Sequence, residues 1–293
     1  MASIAVEQPG RARVDSAARG ARRVALVVVG LAVFWGLWEA YRWIGIRVGI
    51  TWPFTVDETN MPHIHDMLGA LTEPLQPGGP TLLHYEWHWA LFTAKEALVG
   101  FVLGGAIGFG LAVLLAHSRI LQRGLLPYIV ISQTVPILAV APMVVVGLGS
   151  KGVEPWLSVA VIAAYLTFFP VAMNTLRGLL SPDPRSLELM RSYAADRRAI
   201  LWKLRLPASL PFVFTALKIS ATACVIGAII GETPASIQDG LGGAIVNFNQ
   251  YYSTGPERLW ATNIVCAILG LAFFAAVLIA ERLVLRRAPE NIA

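Results

Sequence analysis

The amino-acid sequence predicts an all-α polytopic membrane protein with six transmembrane helices. Three observations lead there. The chain is 56% apolar and only 14% charged, with a mean hydropathy of +0.63, whereas soluble domains carry about 25% charged residues. Six apolar stretches are long enough to cross a hydrocarbon core of about 30 Å, which takes roughly 20 helical residues. Lysine and arginine gather in every second connection between those stretches. A pI of about 9.5 alone would allow nucleic-acid binding. The charges lie between apolar spans, so the basic balance reads as membrane topology and no nucleic-acid partner is expected.

The spans fall near residues 24–45, 96–116, 125–148, 156–176, 211–231 and 259–281. In lipid, apolar runs of this length satisfy their backbone as helices. The first follows Arg11, Arg13, Arg19, Arg22 and Arg23 and resembles a signal peptide in that respect. Its length and its Trp35, Trp38, Tyr41 and Trp43 cluster instead mark a retained helix with an interfacial aromatic belt. The second and sixth carry no charge from Ala97 to Ala116 and from Leu259 to Ala280. The third holds Pro127, Pro136 and Pro142, which predicts kinks or a broken helix.

The chain thus divides into a basic tail at 1–23, a first helix at 24–45, an outer segment at 46–95, a five-helix core at 96–281 and a second tail at 282–293. Arg119 and Arg123, the residues Arg177 to Arg205, and Arg282 to Arg287 fall on the same side as the N-terminal arginines. Only Arg42, Arg47, Lys95, Lys151 and Arg258 fall on the other, with Lys218 inside the fifth span. Both termini are therefore expected in the cytoplasm.

In the outer segment a short interfacial helix is expected from Ile64 to Leu75. His63, His65, His84 and His88 raise a metal reading, and His84-x3-His88 shares one helical face. No cysteine or well-placed carboxylate completes a convincing tetrahedral set, so no metal site is expected. Cys224 and Cys266 lie in apolar runs and read as packing residues. Gly100, Gly104 and Gly108 in span two, and Ala223, Gly227 and Gly231 in span five, repeat at four-residue spacing. Such stripes bring helix backbones together in lipid, either as fixed packing or as an interface that moves.

Intramembrane polar residues are costly and hence candidates for a solute path. They are Gln133, Thr134 and Pro136 at the expected break, with Tyr165, Asn174, Thr222 and Glu232. Glu232 is expected near the outer interface, as a gate, a contact for a partner protein, or a solvated side chain.

The connection at 177–210 is longer and more basic than a turn requires. Asp183 and Pro184 suit a helix start running to about Tyr193. Ala194, Ala195 and Asp196 then mark a turn, and a second helix follows from Arg197 to Arg205, with Pro207 and Pro211 ending it before span five. Ile200, Leu201 and Leu204 form an apolar strip among Arg197, Arg198, Lys203 and Arg205, the pattern of a basic helix that lies on a membrane or docks in a partner's groove, and the helix–turn–helix layout favours a partner.

This loop resembles the EAA motif of bacterial ABC-importer permeases. Glu188 fills the acidic position, Leu189 and Met190 stand where two small residues are usual, Ala194 stands for glycine, Leu204 is the aliphatic, and Leu206-Pro207 closes the pattern. Alanine in place of glycine sets the left-handed turn against its residue type. Glu96 to Phe101, Gln133 to Pro136, Phe168 to Pro170, Gly231-Glu232 and Gly240 to Gly242 extend the likeness to nitrate/sulfonate/taurine-type permeases, nearest to members carrying pyrimidine-like or riboflavin-like compounds.

The resemblance implies a type I ABC-importer permease in the bacterial inner membrane, working as a homodimer. Each copy would bind an ABC ATPase subunit through Glu188, Tyr193, Ala194, Asp196, Arg197, Leu204 and Pro207, and an extracytoplasmic solute-binding protein would deliver the cargo. The chain has no Gly-x4-Gly-Lys-Ser/Thr loop, so ATP and Mg2+ belong on the partner and no cofactor or enzymatic activity is expected here. Neutral and aromatic residues in the spans favour a heterocyclic cargo over a nitrate or sulfonate anion. A stand-alone carrier would show inverted repeats, which are not evident, and a membrane enzyme would need a catalytic constellation.

Overall fold

The structure, a computed structural model, describes residues 9–52 and 54–285; the far ends of both basic tails, including Arg286 and Arg287, lie outside the described residues. Those described are helical almost throughout and contain no strand, only an isolated bridge between Pro74 and Thr81. They form two compact units divided between Ala70 and Leu71.

The first unit holds α1 (Pro9–Val48) and α2 (Ile64–Ala70). Helix α1 begins inside the stretch read as a tail, because the alanines and arginines there are strong helix formers and need no apolar run. It ends at Gly49, whose φ of +70° suits glycine. Arg42 donates from Nε to the carbonyl of Met61 at 2.8 Å, which pins the connection after α1. Helix α2 stops at Ala70 rather than Leu75: Pro74 disfavours helical geometry at Glu73, and the carbonyls of Leu71 and Glu73 accept from the amides of Leu83 and Leu82 instead of continuing the helix.

The second unit contains α3 (Leu82–His117), α4 (Arg119–Ser132), α5 (Ile137–Gly149), α6 (Pro155–Leu179), α7 (Pro184–Ser192), α8 (Arg197–Ile200), α9 (Leu206–Glu232), α10 (Leu241–Gln250) and α11 (Pro256–Leu285). Five helices, one in the first unit and four in the second, are long and apolar enough to cross a membrane uninterrupted. The third expected span is the pair α4 and α5, bent by 97°, and counting that pair as one gives six. The bend falls where proline was expected to break the helix. Pro136 lacks an N–H, stands at the N-cap of α5 and forces Val135 out of helical geometry, whereas Pro127 and Pro142 are carried inside α4 and α5.

Helix α3 starts at Leu82, well before residue 96. Its polar first turns are tolerated because Glu86 is fully buried and accepts a hydrogen bond from the Thr262 hydroxyl of α11 at 2.5 Å. At the centre of the unit stands α6. A Cβ at Gly100 would lie 2.5 Å from Ala163 Cβ, and one at Gly104 would collide with the carbonyl oxygen of Ala164, so the first glycine stripe seats α3 directly on the α6 backbone. From the other side Gly227 of α9 packs on Ala163, where a Cβ would come 2.8 Å from its Cα. Both stripes are therefore intramolecular seams, and Ala97, Val159, Ala163, Cys224, Val225 and Ala228 form the sealed core between the three helices. Lys218 of α9 and Glu281 of α11 add an ion pair at 2.9 Å.

Pro207 and Pro211 do not end the second loop helix. Residues Leu201–Arg205 form a π-turn between α8 and α9, so helical backbone runs unbroken from Arg197 to Glu232. The wider turn, with Leu206 N–H bonded back to the carbonyl of Leu201, absorbs the donor that Pro207 cannot supply. Thr215 donates its hydroxyl to the carbonyl of Pro211 at 2.8 Å.

Candidate functional site

Two regions of the second unit carry the residues singled out by sequence. The first is the helix–turn–helix of α7 and α8. Asp183 caps α7 by accepting from the Arg185 amide at 2.8 Å, and Asp196 caps α8 by accepting from the Ala199 amide at 2.7 Å. Between them Ala194 takes φ +55°. Its N–H reaches the carbonyl of Arg191 at 2.9 Å, and the N–H of Ala195 reaches that of Met190 at 3.0 Å. That bond pair is a Schellman motif, which normally recruits glycine at this position. The left-handed turn is thus present although alanine occupies it, at a cost of roughly 1–2 kcal/mol held by the surrounding bonds.

The apolar strip does not face outward as its pattern suggested. Leu201 is buried in a cluster with Ala112, Leu115, Ile129, Leu176 and Leu179, while Ile200 and Leu204 are half-buried. The strip fixes the loop to its own helices. Arg205 reinforces this by donating from Nη1 to the carbonyl of Ala116 at 2.9 Å. A cavity of about 550 Å³ lies beneath, lined in part by His117, Arg119, Arg191, Arg197 and Arg205. The outward face instead presents Leu189, Tyr193 at 79% exposure and Trp202 at 69%. Exposed Glu188, Arg197, Arg198 and Lys203 surround them. Trp202 was missed in the sequence because the π-turn rotates the face away from that of a regular helix. Pro207 is half-buried in the first turn of α9.

The second region is the break between α4 and α5. Gln133 and Thr134 occupy it, Pro136 opens α5, and Tyr165 of α6 donates its hydroxyl to the carbonyl of Ser132. Among the described residues the buried Gln133 Nε2 has no hydrogen-bond partner. The structure therefore brings four of the expected path residues together. Asn174 and Thr222 lie elsewhere and bond the carbonyls of Pro170 and Ile219 in their own helices. A cavity of about 370 Å³ nearby is bounded by α5, α9 and α10, with Leu138, Pro142, Ile230 and Thr233 in its wall and no charged side chain.

Glu232 is not a solvated side chain. It is fully buried at the end of α9. Its Oε1 accepts from the Thr93 hydroxyl at 2.6 Å and its Oε2 from the Gly242 amide at 2.5 Å. Buried polar groups persist where they are bonded in this way. The Gly240-Leu-Gly242 stretch makes room, since a Cβ on Gly242 would sit 2.8 Å from Oε2.

Comparisons with known proteins agree with these features. Residues 104–288 match the family described as binding-protein-dependent transport system inner membrane component. The chain is 33% identical over 190 residues to the formylaminopyrimidine transport permease protein ThiX of Halalkalibacterium halodurans, spanning 64% of this chain and 72% of that one. It is 30% identical over 200 residues to the riboflavin transport system permease protein RibX of Chloroflexus aurantiacus, spanning 68% and 72%. A putative aliphatic sulfonates transport permease, SsuC of Bacillus subtilis, is 29% identical over 191 residues, spanning 65% and 67%. A chain from the crystal structure of an amino acid ABC transporter with histidines shares the fold, with TM-score 0.57 and 16% identity over 69% of this chain and 94% of that one. The exposed helix–turn–helix, the glycine-seamed bundle and the match over residues 104–288 together place the chain in the family of binding-protein-dependent inner-membrane transport permeases.

Proposed function

We propose that the chain is the membrane subunit of an ATP-driven importer, that two copies pair as a homodimer, and that each copy engages a separate ATPase through α7 and α8. The observation that carries this reading is the exposed Leu189, Tyr193 and Trp202 face on a segment whose inner side is buried in its own core. A partner pressing on that face moves α9 with it, because helical backbone is continuous from Arg197 to Glu232. ATP and Mg2+ reside on the partner, and a binding protein presents the solute on the opposite side.

The cargo is a neutral heterocycle of the pyrimidine-like class. Supporting this are the uncharged lining of the α5–α9–α10 cavity and the free Gln133 amide beside Tyr165 at the helix break. An amide and an aromatic ring recognise a planar ring with donors and acceptors on its edge, whereas a sulfonate or nitrate path would call for a cation. Uptake of labelled pyrimidine, riboflavin and alkanesulfonate into proteoliposomes, with and without ATPase and binding protein, tests both points. Heterocycle uptake that requires all three components is expected. Uptake by the permease alone would make it a stand-alone carrier, and sulfonate uptake alone would overturn the cargo assignment.

A further inference from the structure

Glu39 lies 24 residues before His63, with His65 two residues further on, yet each offers a donor atom and the three donors lie within 4.8 Å of one another. All three belong to the first unit. Glu39 projects from the last third of α1, and the histidines flank the start of α2. We propose that these side chains form a binding site for a divalent transition-metal ion such as Zn2+.

The donor set is chemically apt. Two imidazoles and one carboxylate suit a borderline ion and leave a fourth position open. The carboxylate is already oriented for the task. Its Oε2 stands 2.7 Å from His63 Nδ1, and its Oε1 accepts from the Ile64 amide at 3.3 Å. The imidazole rings lie 4.8 Å apart between centroids, tilted by 31°. Asp66 Oδ1 is 3.0 Å from His65 Nε2, where it can hold the ring as an outer partner while Nδ1 faces the ion. Metal–ligand bonds of about 2.0–2.2 Å place tetrahedral donors roughly 3.3–3.6 Å apart, so small side-chain rotations close the set. Access is open as well: the His65 side chain is 64% exposed, and the site sits at the level of the Trp35, Trp38, Tyr41 and Trp43 belt. A bound ion would clip α1 to the start of α2 and close the connection between them.

The test is calorimetric titration of Zn2+ into purified, tag-free full-length protein in lipid nanodiscs. One saturable site per chain is expected. The His63→Gln/His65→Gln double variant should weaken binding by roughly 100-fold or more, while His84→Gln/His88→Gln binds as wild type does. X-ray absorption at the zinc edge of the loaded wild type, which needs no variant to fold, should show a shell containing two imidazole nitrogens at about 2.0–2.1 Å. Absence of a saturable site in the wild type, retention of affinity in the His63/His65 variant, or a shell without imidazole overturns the proposal.

Discussion

Thr93 in α3 and Glu232 at the end of α9 share a hydrogen bond of 2.6 Å, and the same threonine oxygen accepts the amide of Leu241 at 3.0 Å. Two side chains thus tie the far end of the continuous Arg197–Glu232 helix to α3 and to the first turn of α10. The near end of that helix, α8 and the π-turn after it, carries Trp202 of the exposed face. Over 36 residues it is about 54 Å long, so one continuous helix joins the exposed face to the region of the α5–α9–α10 cavity.

Replacing Thr93 with valine removes the donor to Glu232 and leaves a buried carboxylate oxygen short of a partner. The expected destabilisation is about 2 kcal/mol or more, read from denaturant unfolding of the purified protein. Thr222→Val, which removes only a bond to its own helix on an exposed face, should change stability by less than about 0.5 kcal/mol.

The α3–α6 seam should not admit a side chain. Gly104→Ala places a methyl against the Ala164 carbonyl and the Thr167 side chain, and Gly105→Ala meets nothing within 4 Å. Overpacking of this kind costs about 1–3 kcal/mol. Thermal melts in detergent should therefore separate the two variants, with only Gly104→Ala shifted down.

Lys218 and Glu281 are both largely buried, with side-chain exposures of 23% and 17%. Removing one partner strands the other charge at a cost of about 3 kcal/mol, whereas Lys218→Met with Glu281→Met should recover most of the loss. A double-mutant cycle that returns no coupling would contradict the assignment of this pair as a clip between α9 and α11.

Ala194 in its left-handed turn predicts that Ala194→Gly leaves coupling intact and stabilises the loop by up to about 1 kcal/mol. Ala194→Val, with a β-branched side chain at φ +55°, should distort the turn and depress solute-stimulated ATPase activity without preventing insertion.

Much of this was legible in the sequence, and the failures have physical causes. Hydropathy located the helices, and proline placement located the α4–α5 break, because both are local properties. Asp183, Pro184 and Asp196 announced their caps. The direction of the Ile200, Leu201 and Leu204 strip was misread, since an apolar stripe looks the same whether it meets a partner or the chain's own core. Pro207 and Pro211 were read as terminators because the π-turn that accommodates them leaves no signature in composition. The burial of Glu232 is not readable from its own segment, as its partners Thr93 and Gly242 come from other helices. Glu39 was not connected with His63 and His65 because the grouping depends on how the chain folds back along α1.

The central claim is the proposal that the α7–α8 face transmits force from an ATPase. Co-purification of the complex from membranes, comparing wild type with Glu188→Arg and with Tyr193→Asp/Trp202→Asp, tests it most directly. The account predicts that an ATPase subunit accompanies the wild type and is lost or uncoupled in both variants, which remain folded because these side chains are exposed. An ATPase retained at full, solute-stimulated activity in both variants would contradict it.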